Sequence, residues 1–372
     1  MAKAKRTRAP LWARLCTVFG ATLMLVSGVT LVGTEALLAR YEGAVTEDDL
    51  FGDEAAAAPE AASDITGPLN VLLVGIDRRE RVPTWVPKAD SIMIMHIPAE
   101  LDRAYLFSLP RDLLVDIPRF DKAGFRGGRD KLTHAMAHGS NVPGSTNKDA
   151  ARGFELLANT VSEYTGIARF EAGAIINFNG FKKIVDAMGG VTMHIDQNVE
   201  SIHMRPDGKP RRLIGGAEGP NAYTGPRAKY VKGTRHLAGW QALDYVRQRY
   251  IPGADYARQR HQQQFIRAMA SQALSKDVAK NPRKLDAVIR AAGESLVFNG
   301  RGRSPVEFAF ALRGLSSEAI TMVKLPGGGE FDGDDYIGER LEPVAAEFFA
   351  ALRGNTVDQF LLARRELINA TS

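Results

Sequence analysis

The residues of this 372-residue chain best suited to chemistry are arginines, lysines and aspartates beside turn residues at the ends of apolar runs. Asp77 and Arg78 follow the run ending in Gly75-Ile76, Asp90 opens the next run two residues after Lys88, and Arg111 and Asp112 follow Leu109-Pro110. A second cluster, Tyr245 to Tyr250, leads through Ile251-Pro252-Gly253 into Asp255 to Phe265. Arg247 and Arg249 share a face only if the chain between them is extended, which the following proline and glycine permit. Asp255, Arg258, Gln262 and Ile266 fall on one helical stripe, too polar to be core. Guanidinium groups grip phosphate oxygens in pairs, and paired carboxylates such as Asp77 and Asp90 can hold Mg2+ against a diphosphate. The set suits an anionic ligand, although for any one of these residues a surface salt bridge is the competing explanation. The G-x-x-x-x-G-K-[ST], H-E-x-x-H and G-x-S-x-G signatures are all missing.

These side chains need a frame. Short runs rich in β-branched residues predict strands over 70–76, 91–97, 103–109, 173–178, 190–195 and 319–325, several apolar enough to be central. Helical patterns cover 150–164, 180–188, 239–247, 255–275, 281–296, 304–315 and 341–353, with Ser304, Pro305 and Glu307 forming a capping-box start. Strands interspersed with helices predict an α/β sandwich in one domain, and ligands collect outside strand ends in such folds. The stretch 205–235 carries eight basic residues among prolines and glycines. It reads as a long mobile loop with one hairpin, either a solvated insertion or a lip that attracts phosphate or wall polymer. His134 and His138 have metal-binding spacing but lack a third ligand nearby. The glycines at 327–329 with Asp332, Asp334 and Asp335 read as an exposed acidic turn, and Asn369 as part of a frayed terminus.

Composition places this domain. A single cysteine, Cys16, excludes an intramolecular disulfide and a cysteine-cluster metal site. Residues 1–14 hold five basic residues and no acid, and 15–34 are uncharged and would span about 30 Å as a helix. The positive-inside rule then keeps the N-terminus cytoplasmic and puts residue 35 onward outside the cell. An uncleaved anchor fits better than a signal peptide, because the apolar run is long and no clear A-x-A site follows. Residues 35–68, with eight acids and no base over 41–64, read as a flexible tether. The domain proper is expected over 69–353, with a C-terminal tail at 354–372. From residue 65 onward 42 basic residues face 34 acidic ones, which favours an anionic partner. A nucleic-acid partner is not expected of a domain outside the cell.

In order along the chain, Asn70 to Arg78, Lys88 to Ser91, Ser108 to Asp112, Lys131 to His134, Asn179 to Lys183 with Gly189-Gly190-Val191, and Tyr245 to Arg249 with Asp255 to Gln264 resemble the successive motifs of the LytR-CpsA-Psr family. The resemblance covers residues 70–270 behind one anchor. It implies an α/β/α fold with a central mixed sheet. It also implies a membrane enzyme that transfers an anionic glycopolymer from a polyprenyl-diphosphate carrier to peptidoglycan, leaving a phosphodiester. By the same resemblance Asp77 and Asp90 match Mg2+-associated aspartates; Arg111, Lys131, Arg247, Arg249 and Arg258 match diphosphate-binding residues, with Gln262 as polar partner. Arg78 and Lys88 are expected beside them, and Arg111 is expected in catalysis with the two aspartates. Lys88 and His261 stand where arginine is usual, which costs a bidentate fork at one position and makes charge pH-dependent at the other. Candidate channel residues for the lipid are Phe154, Leu157, Val161, Phe178, Phe181 and Val185, with core the favoured assignment for each. Rival readings are a binding module for polyprenyl phosphate or wall polymer, and a hydrolase acting on the same diphosphate.

Overall fold

The computed structural model describes residues 45–52, 65–77, 85–214, 219–273, 282–312, 315–316 and 318–369. The expected cytoplasmic tail, the expected anchor over 15–34, most of the expected tether, and Arg78 lie outside the described residues.

Seven strands form a central mixed sheet: Thr46–Glu47 (β1), Leu69–Ile76 (β2), Ala89–Ile97 (β3), Ala104–Leu109 (β4), Ala172–Asn177 (β5), Leu296–Asn299 (β6) and Ile320–Val323 (β7), in the spatial order β1-β6-β5-β2-β3-β4-β7. The pairs β1/β6, β5/β2 and β4/β7 are parallel, and the rest are antiparallel. Alternation along β2 splits its side chains between two cores: Leu69 and Leu73 face one, Leu72, Val74 and Ile76 the other. The first core is closed by helices Phe178–Ala187, Gly239–Arg247, Ala254–Ala273, Pro282–Gly293 and Pro305–Ala311. The second is closed by Leu132–Gly139, Ala150–Thr165, Val344–Arg353 and Val357–Ala363. The architecture is thus the expected α/β/α sandwich, buried on both faces as its apolar strands require.

Several expectations change. The run at 190–195 forms a strand, Val191–Ile195, but it pairs with Gly233–Leu237 outside the central sheet. The last residue of the helix predicted to 296 instead opens β6, which pairs with β5. Within the stretch expected to be a tether, Leu50 and Phe51 are buried and Phe51 packs edge-on against Phe154 at 5.6 Å. Two apolar side chains among the acids suffice to dock that segment. The acidic turn is the tip of a hairpin, Gly327–Asp332 with Asp335–Leu341. Near the C-terminus, Lys324 N donates to Leu367 O and Asn369 N to Met322 O, so residues 367–369 cover the edge strand β7. Asn369 is buried rather than frayed, its Nδ2 donating to Gln263 Oε1 at 2.8 Å.

Candidate active site

Strand register brings the chemistry to one end of the sheet. Ile76 pairs with Ala89 and Ile92 with Leu109, so the C-terminal end of β2, the start of β3 and the end of β4 lie side by side. Asp77, Asp90 and Arg111 emerge there together. On the neighbouring layer, helix Gly239–Arg247 ends at an extended Gln248 (ψ 126), which lets Arg247 and Arg249 address the same space. Gly253, at φ 86, then turns the chain into helix Ala254–Ala273.

The result is a cavity of about 480 Å³ lined by Asp77, Asp90, Arg111, Arg247, Arg249, Arg258 and Gln262. Four arginines face two aspartates there. Arg111 donates to Asp90 at 2.6 Å and Arg247 to Asp77 at 2.9 Å, while Arg258 lies 2.6 Å from Asp255. Burial opposes the charge on Arg111, but Asp112 and Asp90 outweigh it and hold the guanidinium above its ordinary value. Arg258 is only 7% exposed, and burial pushes its pKa down despite Asp255. The Nε groups of Arg111 and Arg258 meet no hydrogen-bond acceptor among the described residues. Buried donors of this kind are costly unless a ligand satisfies them.

The helical stripe read from spacing does two jobs. Arg258 and Gln262 face the cavity, with Gln262 accepting a hydrogen bond from Ser91 at 2.9 Å. One turn on, Gln262 and Ile266 line a second, apolar cleft of about 40 Å³ with Leu73, Met93, Phe181 and Phe265. Of the six candidate channel residues, Phe181 lines this cleft. Phe154, Leu157 and Val161 belong to the core on the other face of the sheet, and Val185 is buried in the near core. The Phe178 side chain lies outside the described residues.

Lys88 and Lys131 are not among the cavity-lining residues. The Lys88 amine lies 3.4 Å from His134 Nε2, and that of Lys131 sits 4.9 Å over the Tyr336 ring. His134 and His138 both bond Asp130, at 2.8 and 2.9 Å. His261 is fully buried against Asp196 (2.9 Å) and stacked on Tyr245, away from the cavity. Burial lowers its pKa against the pull of Asp196, so it stands as a neutral ring donating from Nε2.

The opposite wall was not legible from motifs. It is built from Leu213, Ala222 and Tyr223 of the basic stretch with Ile202 and His203 just before it, joined by Tyr250. The loop is more ordered than expected, with strand pairs at 199–200/229–230 and 212–213/223–224. His203 packs edge-on to Tyr223 at 5.3 Å. Burial, reinforced by Arg247 and Arg249, pushes its pKa down to about 4, so the imidazole is neutral at pH 7. The basic composition of 205–235 marked the stretch as a candidate lip, but nothing in the spacing of these individual residues ties them to residues 77–111.

Among the described residues no group of three or more histidine, cysteine or acidic side chains is arranged to hold a metal by itself. Asp77 and Asp90 offer hard oxygen donors in a shared cavity, which fits a Mg2+ ion that draws its remaining ligands from water and substrate phosphate.

The fold and site define a mixed α/β sandwich with a cation-rich pocket at the strand ends. The LytR_cpsA_psr family model matches residues 39–349, and the chain belongs to that family. It is 25% identical over 95% of its length to the cell wall biosynthesis protein LcpA of Corynebacterium glutamicum, covering 67% of that protein. It is 28% identical over 58% of its length to the polyisoprenyl-teichoic acid–peptidoglycan teichoic acid transferase TagU of Enterococcus faecalis. The chain spans about half the length of that transferase (56%) and of a biofilm regulatory protein A from Streptococcus mutans (47%). Among solved structures, B. subtilis TagV superposes with a TM-score of 0.55 at 18% identity, covering 79% of this chain and 98% of that one. TagT bound to LI-WTA superposes at 0.52 and 22% identity, covering 77% and 90%. These likenesses establish the fold.

Proposed function

We propose that the chain is a membrane-anchored, Mg2+-dependent phosphotransferase of the cell envelope, which moves an anionic glycopolymer from a polyprenyl-diphosphate carrier to peptidoglycan. One observation carries this reading: four arginines and two aspartates line a single cavity whose Gln262 wall also borders an apolar cleft. A diphosphate with a lipid on one side and a saccharide on the other has that same division of polarity. The relatives named as teichoic acid transferases support the polymer and acceptor classes. No helix among the described residues is long and apolar enough to cross a membrane, so the anchor rests on the uncharged segment 15–34.

In this reading the arginines bind the diphosphate before reaction and stabilise the charge that builds on it during transfer. The acceptor hydroxyl oxygen attacks the sugar-side phosphorus and forms the new P–O bond. The bond from that phosphorus to the bridging oxygen breaks, its electron pair leaving on polyprenyl phosphate. Asp77 or Asp90 accepts the hydroxyl proton. Mg2+ bound by Asp77 and Asp90 would supply further neutralisation of the diphosphate. The cleft holds little more than one water's share of volume, so seating the prenyl chain requires Phe181 and Phe265 to move apart.

The test combines the full chain with a synthetic polyprenyl-diphosphate saccharide and a peptidoglycan fragment, with and without Mg2+, followed by mass spectrometry. Phosphosaccharide on the acceptor, released polyprenyl phosphate and dependence on Mg2+ are the expected products and condition. Free phosphosaccharide alone would make the protein a hydrolase, and donor binding without turnover would make it a binding module.

A further inference from the structure

The wall of the cavity built from the basic stretch carries a surface that phosphate binding does not use. Leu213 is 62% exposed, Ile214 44% and Tyr250 48%, and Leu213 and Tyr250 stand at the mouth of the cavity. Leu213 pairs with Tyr223 and Ile214 N donates to Ala222 O, while Gly219, in the same single helical turn as Ala222, approaches the Tyr250 ring. Interleaved with them are Arg212, exposed and without an ion pair among the described residues, and Arg249, whose guanidinium lies 5.4 Å over the Tyr250 ring. Soluble surfaces do not normally leave large apolar side chains such as Leu213 and Tyr250 exposed at the rim of a charged pocket.

This lip is held rigid. Arg211, buried at 6% exposure, donates to three backbone carbonyls: Gly225 O at 3.1 Å, Ile202 O at 2.9 Å and Tyr223 O at 2.8 Å. Its charge meets carbonyl dipoles instead of a carboxylate, so the guanidinium serves as a strut. A strutted tip that presents apolar side chains flanked by cations has the composition of an interfacial membrane contact, where the apolar groups enter the headgroup boundary and the cations meet anionic lipid.

We infer that the lip Arg212-Leu213-Ile214 with Arg249-Tyr250 docks on the surface of an anionic bilayer and turns the mouth of the cavity toward the membrane. The inference rests on the proposed function in one respect, that the phosphates entering the cavity belong to a membrane-borne carrier. The lip then lets the diphosphate headgroup pass from bilayer to cavity with little exposure of the prenyl chain to water.

The test uses the full chain carrying Cys16→Ser, which removes its only cysteine, with Leu213→Cys labelled by an environment-sensitive nitrobenzoxadiazole dye. Residue 213 is 62% exposed, so the substitution there removes little buried contact. The protein is reconstituted in phosphatidylcholine vesicles with and without phosphatidylglycerol, and a Leu362→Cys chain labelled in the same way serves as control on the exposed helix Val357–Ala363, which packs on the other face of the sheet. The expected result is a blue shift and quenching by a lipid-borne nitroxide at position 213 in anionic vesicles only, absent at 362 and abolished by Arg212→Glu. Equal quenching at both positions, or quenching by aqueous iodide alone, overturns the inference. A shift at 213 caused by soluble anionic glycopolymer without vesicles overturns it in favour of a polymer-binding lip. Arg111→Ala separates the two claims: it should slow transfer roughly a hundredfold and leave the signal at 213 intact. Transfer without lip insertion sinks only the docking inference, and insertion without transfer sinks only the proposed activity.

Discussion

Arg111 sits between two carboxylates, donating to Asp90 at 2.6 Å with Asp112 at 3.7 Å, and still has an Nε without an acceptor. A donor held in place by the protein loses little on reorganising around a developing phosphate charge. Arg111→Ala is therefore expected to raise the transfer barrier by about 3 kcal/mol, roughly a hundredfold in turnover, measured by mass spectrometry of the acceptor. Wild-type turnover would remove Arg111 from the site. Arg258 makes a prediction about stability. Among the described residues its one ion pair is with Asp255, and a buried charge deprived of its partner is destabilising. Asp255→Ala should cost about 3 kcal/mol in urea unfolding, and the double variant Asp255→Ala/Arg258→Met should recover most of it. At this scale the sequence indicated residue types well and surroundings poorly. His261 read as a pH-dependent charge near the headgroup; burial under Tyr245 and a bond to Asp196 make it a neutral core group.

Elements were most legible where local rules and packing agree. The capping box was read at Ser304, and there Ser304 N donates to Glu307 Oε2 at 2.6 Å and Glu307 N to Ser304 Oγ at 3.3 Å. Helix Ala150–Thr165 begins with Asp149, whose Oδ1 accepts from Arg152 N at 3.0 Å, and ends on Gly166 at φ 70. Asp149→Ala is expected to cost about 1 kcal/mol by thermal or chemical unfolding. An unchanged midpoint would show that the buried side chains of this helix hold its first turn unaided. Legibility failed where an element exists only because a partner receives it. Leu296–Asn299 is four residues after a helix, and its strand character comes from the open edge of Ala172–Asn177. The same holds for residues 45–52 and 367–369, which are ordered by docking against the sheet or its edge.

Across the molecule, buried imidazoles tie stability to pH. His96 is 3% exposed, stacks on Tyr105 and bonds Asn70, and burial pushes its pKa down to about 4. A lowered folded-state pKa means that the unfolded chain takes up the proton first. The stabilisation is complete above the ordinary histidine pKa of 6.5 and is lost as pH falls from there to about 4. His203 and His261 shift in the same direction. Unfolding free energy should drop over that window, by on the order of 3 kcal/mol for His96 alone. Urea titrations at several pH values check this, and a His96→Gln chain with the same slope would exclude His96 as a source.

The sequence alone determined the α/β alternation, the cationic character of the site and most of the residues on one wall of the cavity. Those properties follow from hydrophobic periodicity, turn residues and local spacing, all of which act between near neighbours. Only the tertiary structure decided that Asp77, Asp90 and Arg111 share a cavity with Arg247, Arg249 and Arg258, because strand register and the Gly253 turn set that meeting. It alone sent Lys88 and Lys131 to other partners and made Ile202, His203, Leu213, Ala222 and Tyr223 the opposite wall. Contacts across more than a hundred residues depend on which faces pack together, and no local pattern encodes that choice.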